Sequence, residues 1–339
     1  MSEPAICDPE FPVIRLGSPA DLVDAVPYLL GFHPADSIVL IAVRGERRRI
    51  GLTLRLDLAA LTAGPEPLAN CLHHLRQADA EGLLIAIYAS SGAPGPAEPL
   101  PEAETVLQVA ETVGQAGIEL VEAVLVADGR WWSYLCSNPM CCPPEGQPVS
   151  GPAAPSAVMA AATVAGMSAA ADRDEVARSL LPLPRPQRRR LAVQVKREAD
   201  RWDGPDRDER AQEAVRRWRS AILAQEASEN VLSNADAALL LVGLADVGVR
   251  DECCAAVREQ HRAAAFRLAR QLARRAVHPW DVAPYTLTSW LAWLEGNGML
   301  SRVAIDRALV SDPDYRLGLL MEQLLDCGVD PAGWGPMSG

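Results

Sequence analysis

"CSNPMCCPPEGQPVSGPAAPS", residues 136–156, is where the chain changes character. Its six prolines rule out a helix interior or a central strand, because each lacks a backbone donor and fixes φ. Upstream, β-branched runs alternate with helical periodicity; downstream, almost every stretch repeats its apolar residues at helical spacing. The expected fold is therefore an α/β (or α+β) N-terminal domain with a mixed sheet of about five strands, followed by an all-α helical C-terminal domain. The expected division is 1–148 and 149–339.

Working back from the loop, Ser18 is placed to cap a helix that opens at Pro19, with Asp21 as its reciprocal partner. Pro27 should interrupt that helix, since its ring clashes with the carbonyl of Val23, and Gly31 should end it in the left-handed conformation. "SIVLIAV" (37–43) reads as a buried strand and "RRIGLTLRLDL" (48–58) as an alternating one, joined through Gly45 as a hairpin. A helix near 66–79, the strand "LLIAIYA" (83–89), a helix near 102–116 and the strand "IELVEAVLVA" (118–127) follow. "DGR" then turns the chain into "WWSYLC" (131–136), a second hairpin. Working forward, helical stretches are expected from 156 to 327, one of them unbroken over 251–277. The segment 284–327 is similar to a single tetratricopeptide helical hairpin; lacking a second copy, it is expected to belong to a bundle.

At 339 residues, 49 % hydrophobic and 22 % charged, the composition is that of an ordinary globular protein. No run approaches about eighteen uninterrupted apolar residues, and the first residues, MSEPAICDPEF, are acidic. Neither a membrane span nor a secretory signal is expected. Lys196 is the only lysine among 32 basic residues, a mark of GC-rich codon composition. The net charge of −12 is concentrated: residues 1–150 hold 19 acidic and 8 basic groups, giving −11, and the remainder 25 and 24, giving −1. An acidic first half repels phosphates, so nucleic acid is not an expected partner; residues 185–219, with 12 basic and 7 acidic groups, form the only basic segment. Eight cysteines in a chain of this kind are expected to be reduced thiols of a cytoplasmic protein, with metal binding the alternative.

There is no phosphate loop, no dinucleotide glycine fingerprint, no HExxH and no GxSxG. Three stretches remain. In "LGFHPADS" (30–37), His33 is a candidate base or ligand and Ser37 a hydroxyl partner, with Asp36 nearby. A catalytic triad draws its members from separate segments, and these are nearly contiguous. The same residues also read as a joint between helix and strand. On the strand "RLD", Thr53, Arg55 and Asp57 share one face, opposite Leu52, Leu54, Leu56 and Leu58. That face is either a solvated Arg55–Asp57 pair or, with His33 beside it, a patch that holds an anion through Arg55. His33, Ser37, Arg55 and Asp57 are thus the catalytic candidates. Third, Cys136, Cys141 and Cys142 place three thiols within seven residues and are the candidate ligands of a zinc ion. A fourth ligand would have to come from Cys71, His73 or His74; neighbouring on a helix, His73 and His74 diverge by about 100° and cannot chelate one ion together. A redox-active thiol and simple packing are the other readings of the cysteines.

Taken together, "VPYLLGFHPADSIVLIAV" (26–43), "LRLD" (54–57), "GRWWSYLC" (129–136) with "CCPPEG" (141–146), and "GNGMLSRVAIDRALVSDPDYRLG" (296–318) resemble one family, the actinobacterial domain of unknown function 4192. The resemblance runs from about Ser18 to Asp330. It implies a cytosolic actinobacterial protein and carries no activity onto any residue. Two functions stay open. The first is a non-catalytic interaction or regulatory protein with a protein partner or as a homo-oligomer; the missing catalytic motifs, the lone hairpin, the charge asymmetry and tryptophans expected at the surface favour it. The second is a metal- or thiol-dependent enzyme or small-ligand sensor, its site where the His33 loop, the Arg55/Asp57 strand face and the Cys136–Cys142 loop converge.

Overall fold

A computed structural model describes residues 16–45, 48–90, 92–95, 99–165, 167–227, 232–329 and 331. The chain divides into two units, Met1–Arg173 and Asp174–Gly339. The division falls after the proline-rich loop rather than within it. Helix α5 (Ala157–Val164) packs against α1 (Pro19–Leu30), and Ala170 bonds to Gly31 and His33 through the backbone at 2.8 and 3.0 Å. Segment 149–173, expected with the helical part, is therefore held by the first unit.

The first unit is built on a mixed sheet of six strands in the order β2-β1-β3-β4-β5-β6. These are β1 (Ser37–Arg44), β2 (Arg49–Asp57), β3 (Gly82–Tyr88), β4 (Glu119–Ala127), β5 (Arg130–Ser133) and β6 (Gln147–Pro148). Only β3 and β4 run parallel, as their helical crossover α4 (Ala103–Gln115) requires. The β4–β5 hairpin turns on Asp128 and Gly129, both at positive φ (48° and 71°), the geometry that a two-residue Asp-Gly turn supplies. Strand β6 is not legible in the sequence: two residues within the proline-rich stretch carry no period.

Alternation along the strands separates two apolar faces. Val39, Ile41, Ala86, Val124 and Trp131 meet Leu22, Val23 and Val26 of α1. Ile38, Leu40, Ile85, Ile87, Leu125 and Trp132 meet Leu68, Leu72 and Leu75 of α3 (Glu66–Gln77) and Val106, Val109 and Val113 of α4. Leu52, Leu54 and Leu56 of β2 join this second face, as their spacing required. The short helix α2 (Leu58–Ala63) links β2 to α3.

Helix α1 starts as expected: the Ser18 hydroxyl accepts from the Asp21 backbone at 3.2 Å, and Asp21 accepts from Gly17. It does not break at Pro27, however, and runs on to Leu30. Pro27 has no N–H for the Val23 carbonyl, and that carbonyl instead accepts from the Tyr88 hydroxyl of β3 at 3.4 Å. Burial pushes the Tyr88 phenol well above its usual range, with the nearby Asp24 carboxyl adding to the effect, so this donor stays protonated. The helix ends at Gly31, φ 80°. A β-branched residue resists that conformation, so Gly31→Val should cost about 2–3 kcal/mol. Urea unfolding is the check, and a midpoint equal to the parent's would refute the account of this joint.

The second unit is helical: α6 (Arg173–Ser179, beginning at the division), α7 (Arg185–Trp202), α8 (Arg207–Ala227), α9 (Asn234–Ala245), α10 (Val247–Ala255), α11 (Arg262–Arg275), α12 (Val282–Leu294), α13 (Gly298–Ser311) and α14 (Arg316–Asp326). Its core centres on Leu191, Val195, Trp218, Leu240, Leu241, Leu268 and Leu272. The single helix expected over 251–277 is two helices, α10 and α11, separated by a 3-10 turn at Glu259–His261. The Asp246 carboxylate caps α10 by accepting from Gly248 and Val249 at 2.9 and 3.3 Å, which starts that helix earlier than its apolar period suggests. Helices α12 and α13 form a hairpin through Gly296 (φ 74°), clasped by the Ser289 and Ser301 hydroxyls at 2.9 Å, and α14 packs on both.

Among the described residues no tryptophan is exposed. Trp131, Trp132, Trp202, Trp218 and Trp293 are buried and Trp280 and Trp290 half-buried, so among the described residues they offer no exposed aromatic docking site.

Candidate three-thiol centre

The loop between β5 and β6 is held at both ends. At the first, Glu122 Oε1 accepts from the Ala123 backbone (2.8 Å) and from the Ser133 hydroxyl (2.9 Å). Ser133 Oγ in turn accepts from the backbones of Leu135 and Cys136, each at 3.1 Å, bending the chain out of the strand. At the second, the Trp132 indole donates to the Pro144 carbonyl (2.9 Å) and Arg130 donates to the Gly146 carbonyl (2.8 Å). Gly146 has φ 74°, and a Cβ there would lie 2.5 Å from the Trp132 ring, so glycine is required for this closure.

Between these anchors Asn138 folds the loop back. Its side chain accepts from the Met140 backbone (3.0 Å), and its carbonyl accepts from Cys141 (3.2 Å) and Cys142 (2.8 Å). Gln147 Nε2 donates to the Cys141 carbonyl at 3.2 Å. The result is convergence: the Sγ atoms of Cys136, Cys141 and Cys142 lie within 4.8 Å of one another, Cys136 and Cys141 at 3.1 Å. Cys141 is exposed and the other two are half-buried.

The thiols differ in acidity. Donation from the Cys141 thiol, then from the Asn138 backbone and Cys142, holds Cys136 below the usual thiol range. Cys141 is raised because its hydrogen is committed to Cys136. Burial, with hydrogen bonds to the other two sulfurs, pushes Cys142 up to about 12. A tetrahedral ion with metal–sulfur bonds of about 2.3 Å sets its thiolates about 3.8 Å apart. The Cys136–Cys141 pair would have to open slightly from 3.1 Å to reach that spacing, and all three sulfurs lie within 4.8 Å of one another.

Among the described residues no fourth ligand joins the three sulfurs. Cys71 faces the apolar layer between α3 and the sheet, where burial raises it to about 11, and neither it nor His73 or His74 joins the cluster. His73 and His74 lie edge to face at 5.7 Å. An ion held by these three sulfurs alone would have one position open.

The other candidates lie elsewhere. Pairing of Ser37 with Asp57 and Tyr88, and of Tyr88 with Val126, puts the His33 joint and the Arg55/Asp57 face at the end of the sheet where β3 and β4 finish. The thiols follow the opposite end of β5, which pairs with Val124. Three strands separate β2 from β5, about 19 Å at the usual strand spacing. The one convergent site is therefore not assembled. His33 is exposed, and its backbone donates to Ala170. Arg55 is committed to Asp57 Oδ1 (2.6 Å) and the Ala35 carbonyl (3.3 Å), with its guanidinium 6.0 Å from the Phe32 ring. Asp36, at φ 42°, accepts from the Ser90 backbone at 2.9 Å and so ties the joint to the end of β3.

The Ser37 hydroxyl is fully buried without a partner. Because a buried unpaired hydroxyl keeps its desolvation cost, Ser37→Ala should leave stability unchanged or raise it by about 1 kcal/mol. A loss above 1 kcal/mol in chemical denaturation would show that the hydroxyl makes a bond.

The family model for Domain of unknown function DUF4192 matches residues 19–332. The chain belongs to the DUF4192 family. No curated protein and no solved structure matches it. In this DUF4192 chain the thiols were legible in the sequence, but the residues that aim them were not: Glu122, Ser133, Asn138 and Gln147 have no joint pattern. Only the Asn138-Pro139 dipeptide, a turn signal, could have pointed to the fold-back.

Two clefts lie among the described residues of this DUF4192 chain. One of about 440 Å³ is lined by Arg219, Leu223, Glu252, Arg258 and His261; the other, of about 160 Å³, lies between α3 and α4. Neither contains any of the candidates above. In the basic segment, Arg207, Arg210 and Arg217 pair with Asp246, Glu198 and Asp236, which neutralises part of it. No helix among the described residues is long and apolar enough to cross a membrane.

Proposed function

We propose that this is a regulatory protein without a catalytic centre of its own, whose working element is the Cys136/Cys141/Cys142 loop, and that the loop takes up a soft divalent ion of the zinc type. The observation that carries this reading is the convergence of three sulfurs within 4.8 Å on a loop whose backbone is pinned. Soft thiolates select such ions over hard ones. The loop stands exposed rather than in a cleft, and no histidine reaches it, so it binds without supplying a general base. A partner protein's side chain can fill the open fourth position. Met140, 89 % exposed, and Leu135, 52 % exposed, flank the sulfurs and offer that partner an apolar contact. Free thiols of this kind persist in a reducing compartment, which favours the cytoplasm.

Native mass spectrometry of anaerobically purified protein tests the reading. The expected result is an excess mass of one zinc over the denatured chain. A chain that stays metal-free with zinc in excess and its thiols reduced would overturn it.

A further inference from the structure

We propose that Cys136 and Cys141 are an oxidation site, closed into a disulfide by a hydroperoxide while Cys142 remains a thiol. The chemistry of the pair stands on geometry alone; its consequence for a metal rests on the function proposed above.

The two sulfurs are 3.1 Å apart, Cys141 exposed and Cys136 half-buried, and the turn at Asn138 folds the chain between them back on itself. Cys141 and Cys142 cannot easily pair instead. Adjacent Cα atoms across a trans peptide are about 3.8 Å apart, short of the roughly 4.4–6.8 Å that a disulfide spans. Elsewhere Cys71 and Cys253 are buried, and Cys327 is exposed but in no thiol cluster.

In the first step the Cys136 sulfur attacks the terminal oxygen of the hydroperoxide. The O–O bond breaks, the alcohol leaves carrying a proton, and Cys136 becomes a sulfenic acid. In the second, the Cys141 sulfur attacks the Cys136 sulfur. The S–O bond breaks, and hydroxide departs with the Cys141 proton as water. Two thiols and one hydroperoxide give one disulfide, one alcohol and one water. The sulfurs lose the two electrons that the peroxide gains. One thiolate then remains where three stood, so closure releases the ion.

Cleavage at arginines yields the peptide Trp131–Arg173, which contains these three cysteines and no other. Reduced full-length protein is treated with hydrogen peroxide, quenched with a maleimide and mapped by mass spectrometry. The expected peptide is two hydrogens lighter than the reduced control before labelling and carries one maleimide; dithiothreitol restores three. Cys142→Ser should still close and take no label, whereas Cys141→Ser should not close. Three labels on a peptide whose exposed Met140 is already a sulfoxide would overturn the proposal. So would closure that survives in Cys141→Ser.

A second arm uses Cd2+-loaded protein, whose thiolate charge-transfer band should vanish with peroxide and return with dithiothreitol. If reduced protein never develops that band while the peptide still closes, the metal reading fails and the oxidation site stands. If the band forms and the peptide keeps three thiols, the oxidation site fails alone.

Discussion

Cys141→Ser should weaken Cd2+ binding by at least about a hundredfold. Disturbing groups that only support a metal's ligands already costs about 10–100-fold, and this substitution removes a ligand itself. A serine hydroxyl stays protonated near neutral pH and is a hard donor, so it does not replace the thiolate. The exposed position of Cys141 makes the substitution benign for folding, which separates lost affinity from lost structure. The pH dependence has a definite sign. Binding displaces protons from the thiols, and Cys142, raised to about 12, gives up one that it holds firmly at neutral pH. Apparent affinity should therefore rise with pH through the neutral range. Competition titration at several pH values measures both effects; parent-like affinity in Cys141→Ser, or a flat pH profile, would contradict the three-thiolate centre.

The second large effect is expected in the helical unit. Trp218 on α8 is fully buried, and its indole donates to the Cys253 carbonyl of α10 at 3.0 Å. Trp218→Ala removes the largest fully buried side chain of that core and leaves the carbonyl without its donor. The cost should be about 3–5 kcal/mol for the cavity, with about 1 kcal/mol more for the lost bond. For a unit of this size the melting transition should fall by roughly 10 °C or more. Val310→Ser, at a position 84 % exposed, is the matched control and should stay within about 0.5 kcal/mol of the parent. Calorimetry of both variants decides the matter: a shift of only a degree or two in Trp218→Ala would mean that the core does not close on this residue.

The sequence by itself determined whatever depends on neighbours along the chain. Continuous apolar runs and, in β2 and β5, period-two alternation placed β1 to β5, period 3.6 placed most helices, Ser18 and Gly31 marked the ends of α1, and Asp128-Gly129 marked the β4–β5 turn. It also placed three cysteines close enough in the chain to suggest a common ion. Tertiary structure decided whatever depends on a partner distant in sequence. Pro27 reads as a break until Tyr88, on another strand, satisfies the Val23 carbonyl. The segment after the proline-rich loop reads as part of the helical domain until Ala170 bonds beside Gly31. His33, Arg55 and the thiols read as one site until the strand order sets three strands between β2 and β5, because pairing order is a choice among long-range contacts that local spacing does not encode. The convergence of the thiols mixes the two: Asn138 and Gln147 fold the loop through bonds to near neighbours, while Ser133 is fixed by Glu122 on the adjacent strand.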